Sequence, residues 1–285
     1  MRLLAITGIV SLSLLGASAQ VTVDLVLDQE QFLRDESVPV KVRITNRSGR
    51  TLKLGGTADW LNFTLESREG RNIASLGELA LKEEFTIESS MVATRQVDIA
   101  PLYNLALPGR YTISAEVKIP EWGQEVASKS KTFSVVGSAP LWEQVVGVPG
   151  TSGVPEIRKY VLQQAQVKQL KLYVRVTDQN DYKTFKLMPI GQMVSFSRPE
   201  AQVDKESNLH LLFQSGARSF IYAVVTPQGD LILRQRHDYA RTRPTLRLSE
   251  DGQIAVGGGQ RFFSKDDFPP PISIGSTNNV SAVTP

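Results

Sequence analysis

Apolar and polar side chains alternate with a period of two through most of this chain, and that pattern commits it to sheet rather than helix. Val21, Val23, Leu25 and Leu27 alternate with Thr22, Asp24 and Val26, and Val38, Val40, Val42 and Ile44 with Pro39, Lys41, Arg43 and Thr45. Both stretches predict strands with one buried face. Asn46-Arg47-Ser48-Gly49 has the composition of a turn, and Thr51 to Leu54 returns from it. Further strands are predicted over Trp60 to Glu66, Leu79 to Ile87, Val92 to Ile99, Tyr111 to Ile119 and Lys131 to Val136. In the second half they are predicted over Leu170 to Val176, Tyr182 to Met188, Leu209 to Phe213 and Ile254 to Val256. Ile157 to Gln166 is ambiguous: Tyr160, Val161 and Gln164 sit near one helical turn, and a strand fits equally well.

The stretch from Arg198 to Arg261 says something twice. Arg198-Pro199 and Arg243-Pro244 each open a unit. A polar turn follows (Asp204 to Asn208, then Ser249 to Gln253), and then an apolar strand beginning at Leu209 or Ile254. The offset of about 45 residues lies in the range of repeating four-stranded β units. A fainter earlier copy aligns Pro155-Glu156 with Pro199-Glu200 and Tyr173 to Thr177 with Tyr222 to Thr226. Units of this length with Asp-x-Gly and Pro-x-Gly-Asp turns resemble the blades of sialidase-like β-propellers. Two units and a fragment fall short of the ~4 to 8 blades of a closed ring, and Ser249-Glu250-Asp251-Gly252 is a broken form of the aspartate box. The resemblance therefore implies an open or sandwiched β meander. In the first half, Pro108-Gly109-Arg110-Tyr111 running into alternation through Ile113, Ala115, Val117 and Ile119 resembles the tyrosine corner of immunoglobulin-like sandwiches. Ile44 to Gly49, Trp60-Leu61-Asn62-Phe63, Gly70 and this corner are also similar in layout to small bacterial sandwich domains described as intracellular proteinase inhibitors. That likeness implies a fold and no particular activity.

The expected architecture is all-β, an N-terminal immunoglobulin-like sandwich at 20–136 and a C-terminal blade-like antiparallel repeat domain at 154–263. Residues 137–153, with Pro140, Gly147, Pro149, Gly150 and Gly153, read as a linker. Residues 264–285, with Pro269-Pro270-Pro271 and a Ser, Thr and Asn-rich end, read as a disordered tail. At 285 residues the chain is long enough for two cores. Met1 to Ala19 has the form of a signal peptide: Arg2, an apolar run from Leu3 to Leu15, and Ala17-Ser18-Ala19 as a cleavage site. Its apolar run is shorter than the ~20 residues that cross a bilayer. The expectation is an exported protein, periplasmic or extracellular, with no membrane span after cleavage. The absence of cysteine removes disulfides, thiolate nucleophiles and Cys-type zinc sites. Residues 137–263 carry sixteen Lys and Arg against eleven Asp and Glu, with no dense basic run that would favour specific nucleic-acid binding.

No H-E-x-x-H, G-x-S-x-G, P-loop or dinucleotide fingerprint occurs. His210 and His237 are the only histidines: His210 lies on a strand pattern where a structural role is favoured over general-base chemistry, and His237 sits with Asp238 and Tyr239 near a turn, where adjacent residues on a strand would point to opposite faces and give no triad. Asp178, Asp181, Asp204, Glu206, Asp230, Glu250 and Asp251 fall in turns, where carboxylates bond nearby backbone. Gly257-Gly258-Gly259 precedes no helix and so makes no phosphate cradle. Asn46, Asn62 and Asn279 stand in N-glycan sequons. Neither catalytic nor metal-ligating residues nor a cofactor are expected. A binding surface is placed at Trp142, Tyr222, Arg234, Arg236 and Tyr239, where aromatics lie near basic residues. The reading is a non-enzymatic binding or structural module for a protein or glycan. A glycan-directed hydrolase accessory or sialidase-like fragment, and a protease inhibitor, are the alternatives.

Overall fold

The computed structural model describes residues 20–79, 81–148 and 155–270. The expected leader, 1–19, and the end of the expected tail, 271–285, lie outside the described residues. In chain order the strands are β1 (Val21–Leu27), β2 (Gln31–Leu33), β3 (Pro39–Asn46), β4 (Leu52–Leu54), β5 (Leu61–Ser67), β6 (Asn72–Ile73), β7 (Phe85–Ile87) and β8 (Val92–Asp98). Next come β9 (Gly109–Ile119), β10 (Gln124–Ala127), β11 (Lys131–Val136), β12 (Ala139–Val148), β13 (Glu156–Val167), β14 (Gln169–Thr177) and β15 (Thr184–Gln192). The chain ends with β16 (Glu200–Val203), β17 (Leu209–Gln214), β18 (Ser219–Val225), β19 (Leu231–Asp238), β20 (Thr245–Leu248), β21 (Ile254–Gly257) and β22 (Gln260–Phe262). Among the described residues the only helical elements are two 3-10 turns, Ala100–Leu102 and Pro120–Trp122. The protein is all-β, built of several largely antiparallel sheets, with β2 parallel to β11, and none closes on itself among the described residues.

The strands gather into two compact units, one of residues 20–28, 39–103 and 111–132, the other of 29–38, 104–110 and 133–270. In the first unit β3 lies between β1 and β8, β5 pairs with β6 and β9, β10 pairs with β9, and β4 pairs with β7. Period two sets the core: β1 buries Val21, Val23 and Leu25, β3 buries Val40, Val42 and Ile44, and β9 buries Ile113, Ala115, Val117 and Ile119. Tyr111, expected at a tyrosine corner, is buried at the head of that β9 series. Among the described residues of Leu79 to Ile87 only β7 forms a strand, because Lys82-Glu83-Glu84 interrupts the apolar alternation. Trp60 is fully buried, donates its indole N–H to Leu81 O at 2.7 Å, and meets the Phe85 ring edge to face at 5.4 Å. Asn46 is sealed as well: its amide donates to Arg50 O and Ile87 O while Oδ1 accepts from Ser48 N. With every polar atom engaged, this sequon position is a structural turn residue.

The second unit holds two meanders, β12-β13-β14-β15 and β16-β17-β18-β19-β22. They face one another across one apolar cluster, with Tyr160, Leu162, Leu172, Val174, Val176 and Ile190 from the first sheet against Leu209, Leu211, Phe213, Ile221, Ala223 and Val225 from the second. The Tyr160 phenol crosses between them, donating to Ser207 O at 2.9 Å with Val225 O at 3.2 Å. Ile157 to Gln166, ambiguous in sequence, lies wholly within strand β13.

Two stretches differ from the sequence reading. Residues 139–148 of the expected linker form β12, a ten-residue edge strand paired along β13. An edge strand needs no continuous apolar face, and Pro140 is tolerated at its bulge, between Pro140 and Trp142. Proline and glycine there mark an edge rather than a break. Residues 264–270 of the expected tail are also ordered: the buried Asp267 accepts from Arg261 at 2.7 Å and from Ser264 N at 3.0 Å, and Phe268 bridges to Arg234 on β19. The proline run that signals disorder begins beyond these contacts.

The two stretches from Arg198 and from Arg243 each hold a hairpin. β16–β17 turns through a bond from Ser207 N to Asp204 O and one from Asp204 N to Asn208 O, and β20–β21 uses the equivalent pair, Gly252 N to Ser249 O and Ser249 N to Gln253 O. Ser207 and Gly252 both adopt positive φ, 67° and 81°, as the bulge position of such a turn requires. The two hairpins and the residues just before them also touch, at positions one residue off the repeat offset. Leu246 N donates to Glu200 Oε2, Lys205 Nζ to Asp251 O and Arg243 to Ser197 Oγ, each contact 46 residues apart.

Candidate functional site

Strand β19 reads Leu-Ile-Leu-Arg-Gln-Arg-His-Asp, and alternation sends Arg234 and Arg236 to one face of its sheet and Gln235 and His237 to the other. Antiparallel register extends each arginine into a cross-strand row. One row runs Phe213, Ile221, Arg236, Phe262; the other runs Leu211, Ala223, Arg234, Phe268. Each passes from core hydrophobe through arginine to a half-exposed phenylalanine at the sheet edge, Phe262 at 47% and Phe268 at 46% exposure. The Arg236 guanidinium stacks on the Phe262 ring at 4.3 Å.

Here the two meanders part and leave a cleft of about 300 Å³, lined by Gln192, Ser215, Gly216, Ser219, Ile221, Arg234, Arg236, Ser264 and Asp266. The two arginines differ in how their charge is answered. Arg236 forms a two-pronged pair with Asp238, at 2.9 and 3.1 Å, and donates to Ser219 Oγ at 2.9 Å. Arg234 reaches only backbone oxygens, Asp266 O at 2.7 Å and Ile190 O at 3.4 Å, and no carboxylate lies within ion-pair distance of it among the described residues. Its charge faces the cleft.

The opposite face of the sheet packs on an apolar cluster and carries a buried polar chain within it, while the buried His237 Nε2 beside that chain has no hydrogen-bond partner among the described residues. His210 stands between Asp204 Oδ2 at 3.0 Å on Nε2 and the Tyr222 hydroxyl at 2.7 Å on Nδ1. With the proton on Nε2, His210 donates to Asp204, and the single Tyr222 hydroxyl proton faces both His210 Nδ1 and Ile254 O, the latter at 3.3 Å. Asp204 also accepts from Asn208 N and its side-chain amide. Burial pushes the Asp204 carboxyl up, but the bonds from His210 and Asn208 outweigh it and hold it below the usual carboxylate range. Burial, with the Asp204 charge adding, pushes the Tyr222 phenol up to about 12. Burial and the Arg261 charge lower the pKa of His237, whose ring meets Tyr222 edge to face at 6.3 Å. An Asp-His-Tyr chain in a cleft would suggest proton transfer; here it is closed off, with His210 at 8% and Tyr222 at 6% exposure.

Of the five residues expected at a binding surface, the structure brings together two. Arg234 and Arg236 line the cleft, Tyr222 lies on the opposite face, and Tyr239 sits beyond the end of β19 against Arg218. Trp142 is part of β12 and packs on the core between the meanders. Sequence reasoning missed Ser215, Ser219, Ser264, Asp266, Phe262 and Phe268; alternation along β19 alone pairs the arginines, whereas the rest depends on register between distant strands. Of the turn carboxylates, Asp178 accepts from Lys183 N at 3.0 Å as a turn residue does, whereas Asp181 is held by the Lys159 and Arg175 cations. No group of three His, Cys, Asp or Glu side chains is placed to hold a metal ion among the described residues. No described helix is long and apolar enough to cross a membrane.

No family model and no curated protein matches the chain. Among solved structures it is similar to the sporulation control protein Spo0M from Bacillus subtilis, at 9% identity over 86% of this chain and 91% of that one. The TM-score of 0.30 is too low for the likeness to carry an argument.

Proposed function

We propose that this chain is an exported, non-enzymatic module of the cell envelope or extracellular space that binds a polymer or another protein through the cleft of its second unit. On this reading the first unit is an immunoglobulin-like sandwich and the facing meanders are blade-like sheets that present the cleft. The observation that carries the proposal is Arg234: a guanidinium answered only by backbone carbonyls, in an open cleft lined by serine residues. A partner bringing a carboxylate there gains a charge-assisted, two-pronged bond that the protein does not make for itself. The export part rests on the leader-like Met1 to Ala19. Glycoside hydrolysis needs two carboxylates flanking the scissile bond, and the cleft lining supplies one, Asp266. The test is retention of an acidic polysaccharide, a neutral polysaccharide and an acidic polypeptide on the immobilised full chain and on Arg234→Ala. Retention of at least one polymer that falls in the variant is expected. Retention indifferent to Arg234, no retention at all, or turnover of a retained polymer overturns the proposal.

A further inference from the structure

We infer that the cleft takes a uronate-bearing polysaccharide, one acidic sugar seated at Arg234 with its chain running along the sheet edge. This rests on the binding role proposed above and names its ligand. A uronate presents three things at once: one carboxylate, several hydroxyls and an apolar C–H face. The cleft answers each. Arg234 directs a charge to which no described carboxylate responds, and its Nη2 makes no hydrogen bond among the described residues. The Asp266 carboxylate, exposed on the same lining, accepts hydroxyl protons, and Gln192, Ser215, Ser219 and Ser264 add further polar groups. Phe262 and Phe268 stand half exposed next to the lining arginines in the two cross-strand rows; one face of Phe262 is stacked on Arg236, and the ring surface that remains exposed on the two phenylalanines meets the sugar's C–H face.

Asp266 also separates ligand classes. A densely charged polyanion meets its carboxylate at like-charge cost, whereas a sugar with one carboxylate and neighbouring hydroxyls uses both residues. A volume of about 300 Å³ lies at the small end of ligand sites, which suits one unit of a longer chain. A polypeptide strand would instead need open backbone donors and acceptors, and here the backbone of β19 is paired on both sides, to β18 and to β22 with Phe268.

Titration of the full chain with polygalacturonate, dextran and poly-L-glutamate tests the assignment by calorimetry. Polygalacturonate is expected to bind, dextran to bind at least roughly tenfold more weakly, and polyglutamate likewise. Arg234→Ala should weaken polygalacturonate roughly 10- to 100-fold. Arg234→Lys, which keeps the charge and loses the fork, should recover only part of that. Phe262→Ala, at a half-exposed position where folding is not at stake, should weaken it severalfold. Arg234-dependent binding of polyglutamate or dextran as tight as that of polygalacturonate overturns the uronate assignment and leaves the binding role standing. Absence of binding to all three overturns both.

Discussion

The two hairpins, β16–β17 and β20–β21, share a turn and differ in fate. In the first, all six residues of β17 are buried and its register carries on through β18 and β19 to the cleft. In the second, β21 buries Ile254 alone, and the pair remains a two-stranded sheet resting on the smaller cluster of Leu212, Phe220, Tyr222, Val224, Leu246 and Ile254. The turn is local chemistry, and the sheet that forms around it is set by the strand that follows: Leu-His-Leu-Leu-Phe can be covered on both faces, Ile-Ala-Val-Gly on one.

Core truncation should separate the hairpins most. Leu211→Ala, at a fully buried site between the meanders, is expected to cost about 3 kcal/mol in chemical unfolding. Ile254→Ala, at the rim of the smaller cluster, is expected to cost closer to ~2 kcal/mol. Equal losses would mean that both hairpins belong to one cooperative core, and the contrast would fail.

Acid titration comes next. Asp204 titrates below the usual carboxylate range in the folded chain, so its contribution is present above the unfolded value, near 3.8, and is lost as pH falls through the folded one. Asp204→Asn is expected to cost about 1–2 kcal/mol at neutral pH and to flatten the acid limb of a stability profile. Asp251, the turn carboxylate of the second hairpin, is also held below the usual carboxylate range by the Ser249 hydroxyl, but it is fully exposed and screened by solvent, so its asparagine variant should flatten the acid limb far less. An unaltered acid limb in the Asp204 variant would remove the buried chain from the account of stability.

The turns themselves give the smallest effect. Gly252→Ala, at φ 81°, is expected to cost about 1 kcal/mol. Ser207→Gly relieves the same backbone strain but gives up the bond from Ser207 Oγ to Gly147 O, so it should stay within about 0.5 kcal/mol. A large loss at Ser207 would show that its hydroxyl, rather than its backbone, holds that corner.

These contrasts mark where the sequence was readable. Period two announced most strands, β1, β3, β5, β9, β14 and β17 among them, because each buries one face or both against apolar partners. It missed β12, whose mostly exposed residues carry no apolar stripe, and it left β13 undecided because Lys159 to Gln163 are buried on both faces. The site was legible along a strand and illegible across strands. Arg234 and Arg236 could be paired from the spacing within β19, but the alignment of Arg236 with Phe262 and of Arg234 with Phe268 is a property of register. The burial of Tyr222 behind His210 is another, since Leu212 and not His210 is its ladder partner.

The sealed amide of Asn46 bears on how such a chain can be made. A secretory route that attaches oligosaccharide to nascent polypeptide meets Asn46-Arg47-Ser48 before β3 and β7 have come together, and a sugar placed there leaves no room for the Arg50 and Ile87 carbonyls to be satisfied. Production in a host without that machinery avoids the conflict. In a host that has it, occupancy at Asn46 and recovery of native protein should vary inversely, whereas occupancy at the exposed Asn62 should be harmless.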